Sequence, residues 1–200
     1  MSIKLNRILT NIQLLIDNGE MIRKLEAIRI EYKRNIRFEE DLQTGFGHVF
    51  SRMSLSRFED AVRRNTNVQE GDFRQYLNKL MFENNVTQAT LSRRSLIKEA
   101  TLSRYINGSR EVPACIVFRI ALSMQLGLVE TETLLQKLGK SFKEARMDAV
   151  IIEAIEQGIY DVMKVETIVQ KFTEGEESLF TKKEREEFGF TKEDFEIEVI

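Results

Sequence analysis

The sequence predicts an all-α protein, and three observations carry that prediction. Apolar residues recur at spacings of three and four, helix-start and helix-stop residues punctuate those runs, and a single Pro occurs in 200 residues. With 42% hydrophobic and 31% charged residues, the chain has the composition of a folded protein with a sizeable core. The elements fall into an N-terminal helical hairpin (1–42), a linker with a short helix (43–71), a cluster of five short helices (72–140), a C-terminal helical pair (141–172) and an acidic tail (173–200).

From Ile3 to Ile16 the apolar residues Leu5, Ile8, Leu9, Ile12, Leu15 and Ile16 form one helical face, and Asn18-Gly19 supplies a left-handed stop. Lys4 and Arg7 ahead of this stretch resemble a secretory leader, but Asn11, Gln13, Asp17 and Asn18 interrupt it and no small-residue cleavage site follows, so it reads as a helix. A second helix from Glu20 to about Arg37 places Ile22, Leu25, Ile28, Tyr32 and Ile36 on one side. Its heptad fails at Arg29, which argues against a long coiled coil and leaves a short dimerising bundle open. The glycines of Gln43 to His48 mark a linker, Ser54 or Ser56 caps a short helix containing Leu55, Phe58 and Val62, and Asn65 to Gly71 is turn-like.

Asp72 is a suitable N-cap for a helix with Phe73, Leu77, Leu80 and Met81 facing inward, ending at Asn84-Asn85. Thr87 caps a helix from Gln88 to Arg94, Ser95 to Lys98 form a turn, and a helix from about Glu99 to Ile106 stops at Asn107-Gly108. Pro113 opens a strongly apolar helix expected to end at Gly127, and Thr131 to Leu138 forms another, closed by Gly139. Five helices joined by such short connections make a compact helical domain. Phe142 to Gln157 and Asp161 to Phe172 follow as a helical pair hinged at Gly158, and the final FEIEVI (195–200) alternates as a strand would.

The net charge of -2 conceals an uneven distribution. Residues 51–110 carry 11 Lys+Arg against 6 Asp+Glu, whereas residues 151–200 carry 6 against 14. A basic middle and an acidic end are surfaces suited to different partners. The carboxylates after Glu174 read as a solvated tail, with a functional alternative in which they cover the basic face of the same or a neighbouring subunit.

Several classes of chemistry are disfavoured. Cys115 has no partner, so neither a disulfide framework nor a cysteine metal site can form, and a reducing, cytoplasmic setting is expected. His48 is the single histidine and lies in the linker, which leaves no basis for a Ser-His hydrolase or histidine zinc site. Gly139-Lys140-Ser141 copies the end of a phosphate-binding loop, but Leu134 stands where its first glycine is required. No stretch approaches the roughly 18 apolar residues that span a bilayer. The expectation is a non-enzyme without cofactor, metal or membrane anchor.

The spacing of Gln88, Leu91, Ser92, Ile97, Leu102 and Asn107-Gly108, followed by PACIVFRIALSMQLG and LVETETLLQKLG, resembles the lambda-repressor-like (Cro/repressor-type, XRE) helix-turn-helix family over residues 73–139. The resemblance implies a five-helix domain whose second motif helix enters the major groove of double-stranded DNA. On that helix, Glu99, Ala100, Ser103 and Arg104 are the implied base-edge residues, while Gln88, Thr101 and Asn107 match positions that hold phosphates. Arg93, Arg94 and Lys98 add phosphate attraction without sequence information. The implied function is that of a sequence-specific transcriptional regulator, repressor-like and of prokaryotic or phage type, binding its operator as a dimer. The dimer contact would come from the hairpin or the helices after Gly139. The alternative is an antitoxin-like or adaptor protein that uses its helix-turn-helix fold and its N-terminal hairpin, residues 3–37, to meet a protein partner. Three residues depart from the family pattern. Leu96 replaces the usual turn glycine, so either the backbone is left-handed at a cost of about 1–2 kcal/mol or the turn differs. Lys98 replaces a small capping residue, and Glu99 places a negative charge near phosphates.

Overall fold

The computed structural model describes residues 2–43 and 73–189, and every described regular element is an α-helix. In chain order these are α1 (Ser2–Asp17), α2 (Glu20–Gln43), α3 (residues 73–83), α4 (Gln88–Ser95) and α5 (Glu99–Ile106). They are followed by α6 (Ala114–Met124), α7 (Leu128–Gln136), α8 (Arg146–Glu156), α9 (Val162–Phe172) and α10 (Lys182–Phe188). The expected linker with His48, the short helix capped by Ser54 or Ser56, the turn at 65–71 with the Asp72 cap, and the C-terminal strand lie outside the described residues.

The core is centred on α6, where Ile116 to Met124 are all buried. Helices α4, α7 and α9 pack on it, and α5 packs on α4. The hairpin covers the other side of the same body, with α2 on α7 and α1 on α8 and α9. Its buried residues are Ile12, Leu15, Met21, Leu25 and Ile28. Met21 therefore takes the inward position expected of Ile22, which is 49% exposed, because its i, i+4, i+7 row with Leu25 and Ile28 is the one that meets α7. Asn11 Nδ2 donates to Glu153 Oε1 at 3.0 Å, and Lys24 pairs with Glu156. No described helix is long and apolar enough to cross a membrane.

Two helix boundaries differ from the sequence expectation for identifiable reasons. Helix α6 stops at Met124 through a left-handed Gln125 (φ 56°), and Gly127 instead opens α7, its N–H donating to Glu130 Oε2 at 2.7 Å. A glutamate three residues into a helix reaches back to the capping position, so Gly127-x-x-Glu130 marks a start. Helix α8 begins at Arg146, not Phe142. Phe142 is buried and stacks on Phe118 at 5.6 Å, while its N–H donates to the buried carboxylate of Glu132 at 3.0 Å, which holds the backbone outside the helix.

The largest difference concerns residues 173–188, which do not form a solvated tail. Thr173, Leu179 and Phe180 are buried. Buried Glu166 accepts from the Leu179 N–H at 2.7 Å, and Glu177 accepts from the Met147 N–H at the start of α8 at 2.8 Å. Burying two large apolar side chains contributes about 1.5–3 kcal/mol each, enough to hold an otherwise acidic segment against the body.

Candidate nucleic-acid interface

The α4–α5 pair is built by local chemistry that the sequence displays. Thr87 caps α4 by accepting from the Thr90 N–H at 3.1 Å, and Leu91 and Leu102 are fully buried between the helices and the core. The turn has left-handed backbone at Leu96 (φ 57°, ψ 25°). The first alternative for this residue is therefore the one adopted, at a cost of about 1–2 kcal/mol. Around it, the Ser92 hydroxyl donates to the Ile97 carbonyl at 2.6 Å, and the Ile97 N–H donates to Ser92 O at 3.1 Å.

A fully buried arginine on α6 compensates the strained turn. Arg119 Nε donates to Ser95 O at 2.9 Å and Nη2 to Leu96 O at 2.7 Å, so one guanidinium binds the two carbonyls on which α4 ends. Its third arm, Nη1, reaches Glu184 Oε1 on α10 at 2.9 Å, and its Cζ lies over the Phe180 ring, 4.2 Å from the centroid. Burial raises the Glu184 carboxyl, but the Thr181 N–H and Arg119 outweigh it and hold the group below its usual range. Each surviving polar arm of the arginine is thus satisfied, as a buried charge requires.

Helix α5 presents two distinct sides. Leu102, Tyr105 and Ile106 face the core, while Glu99, Ala100 and Arg104 are exposed and Ser103 is half-buried beside them. These four form one outward face, as helical spacing dictates. Arg104 has no ion-pair partner among the described residues, and the same holds for exposed Arg93 and Arg94. Arg93 and Arg94 occupy the last turn of α4, where the helix dipole also favours them. Arg94 borders a separate depression with Gln125, Tyr160 and Asp161.

The other phosphate candidates are placed unequally. Gln88 is half-buried in the first turn of α4. Asn107, which ends α5, is exposed and its Nδ2 donates to Ser103 Oγ at 3.3 Å. Lys98 makes no side-chain cap to α5; its Nζ lies 2.6 Å from Glu187 Oε1 on α10. Thr101 lines the same cleft as Lys98, together with Tyr105, Glu184, Glu187 and Phe188.

Sequence reasoning singled out none of Arg119, Phe180, Glu184 and Glu187. The available signal was a lone arginine inside ACIVFRIALSM, since a charge in the middle of an otherwise apolar helix needs a buried partner. Gly139-Lys140-Ser141 forms no phosphate cradle: Lys140 pairs with Glu111 at 3.0 Å and donates to Val112 O at 2.8 Å. Among the described residues no three His, Cys, Asp or Glu side chains gather to hold a metal. Compared with known proteins, the chain matches no family model, no curated protein and no solved structure.

Proposed function

We propose that this protein is a sequence-specific DNA-binding transcriptional regulator of the lambda-repressor-like kind, with α5 as the helix that enters the major groove. The observation that carries the reading is the outward face of α5. Ala100 and Arg104 are exposed, with Ser103 half-buried beside them, on a short helix whose inner side is anchored by Leu102, Tyr105 and Ile106. An arginine so presented can bind guanine in bidentate fashion, which discriminates by about 1–3 kcal/mol. Arg93 and Arg94 supply phosphate attraction from the preceding helix, and Glu99 is suited to a cytosine amino group. No catalytic role is assigned to any residue.

One helical module makes few contacts, so two copies on a pseudo-palindromic operator remain part of the proposal. The inward face of the hairpin is occupied by α7–α9. A second copy, or the protein partner of the adaptor alternative, would meet its outer face, which exposes Leu14, Ile22 and Ile30. The test is a salt-titrated measurement of duplex binding. Arg104→Ala should cost about tenfold on preferred fragments and little on random ones, whereas the Arg93→Ala/Arg94→Ala pair should weaken both and flatten the salt dependence. If neither change alters binding, α5 and α4 are not the contact surface.

A further inference from the structure

Residues 173–188 end on the cationic edge at the start of α5, and their attachment there has two strengths. The inner attachment is firm: Leu179 and Phe180 are buried, Phe180 lies under the Arg119 guanidinium, and Glu184 pairs with that fully buried charge. The outer attachment is weak. The Lys98 and Glu187 side chains are 64% and 45% exposed, and a pair so open to solvent exchanges readily with competing ions. Phe188 is also 41% exposed, although its ring makes an edge contact with Phe180 at 5.7 Å. Helix α10 thus hangs from a buried anchor at its start and a loose ion pair at its end.

That loose end lies against Lys98 and lines a cleft with Thr101, two of the positions assigned to phosphate. A lysine already paired to a carboxylate releases no counterion to DNA, and the carboxylate itself repels a phosphate brought near it. We propose that α10 is an autoinhibitory latch on DNA binding: Glu187 holds Lys98 and occupies the edge of α5, and the phosphate backbone of duplex DNA must displace α10 to engage it. This rests on the reading of α5 as a DNA-contacting helix. Arg119 keeps Ser95 O, Leu96 O, Phe180 and the Glu184 anchor while the far end of α10 swings out, so opening leaves the α4–α5 turn in place.

The experiment uses the full-length chain and a 20-base-pair duplex across a salt series. Glu187→Gln should raise affinity several-fold at low salt and steepen the slope of log K against log[salt] by about 0.9, the increment for one additional phosphate contact. In a Lys98→Gln background the same change should have a clearly smaller effect, because only the repulsion by the carboxylate is then relieved. Hydrogen exchange of the wild-type chain gives a readout that needs no variant: adding duplex should speed exchange of the amides at 182–188. Three results overturn the latch. One is a wild-type chain that binds duplex with the same affinity and slope as Glu187→Gln. Another is a Glu187→Gln gain of the same size and slope without Lys98, and the third is bound duplex that leaves or slows exchange at 182–188. If no chain, including Glu187→Gln, binds duplex at any salt, the underlying DNA-binding reading fails and the latch fails with it.

Discussion

The N-terminal hairpin and residues 173–188 both fold back on the central helices, by different physics. The N-terminal hairpin attaches through a continuous apolar row, Ile12, Leu15, Met21, Leu25 and Ile28, with polar contacts only at its border. The C-terminal segment attaches through two apolar residues, a buried arginine and a chain of carboxylates: Glu166, Glu177 and Glu184. Non-directional apolar burial spreads its contribution over many positions, whereas the C-terminal attachment concentrates its contribution in a few residues. The first suits permanent packing and the second suits a contact beside a site.

The largest effect expected on this contrast is that of Arg119→Ala. It leaves the Ser95 and Leu96 carbonyls without their donor and Glu184 without its cation, and should cost about 3–5 kcal/mol in urea unfolding. It should also make residues 178–188 the first site of limited proteolysis. Leu25→Ala, at a residue 5% exposed, should cost about 2–4 kcal/mol while leaving proteolysis at 178–188 unchanged, which separates the two attachments.

Asp148 tests the region where the two attachments meet, since α8 carries the hairpin on one side and receives Glu177 at its start. Burial, partly countered by the Lys143 N–H and reinforced by Glu177 and Glu132, pushes its carboxyl up to about 7. A folded carboxyl that holds its proton more tightly than the unfolded one adds stability at low pH. Stability should therefore fall as pH rises from about 4 to about 7 and level off above. Asp148→Asn should remove that slope and raise stability at pH 8 by roughly 1–3 kcal/mol, measured by denaturation at pH 5 and 8. Glu184 has the opposite sign: its contribution is present above the usual carboxylate range and is lost as pH falls below it, so acid should release α10. The smallest change expected is Lys24→Ala, below about 1 kcal/mol, because its pair with Glu156 is about one third exposed.

The helices were legible where a local rule governs them. Thr87, Asn107-Gly108 and the rows containing Leu91 and Leu102 set α4 and α5, and the structure places α5 at Glu99–Ile106 as the spacing requires. Boundaries shifted where a distant group intervened, as when Glu132 takes the Phe142 N–H or Glu130 turns Gly127 into a helix start. The face of α5 could be read from its period. Arg119 and its partners could not, because the pairs Arg119 with Glu184 and Lys98 with Glu187 join residues 65 and 89 positions apart, and no periodicity links such distances. The charged run after Glu174 misled for the same reason: its average is acidic, but Leu179 and Phe180 decide where it goes.

The central claim is that the outward face of α5 reads base sequence. The most direct test selects bound duplexes from a random-sequence pool at low salt, with the wild-type and Arg104→Ala chains in parallel. The account predicts that the wild-type chain enriches a pseudo-palindrome with half-sites about 34–36 Å apart, and that Arg104→Ala loses preference at one guanine in each half-site. No enriched motif from the wild-type chain, or the same motif with equal strength from Arg104→Ala, would contradict it.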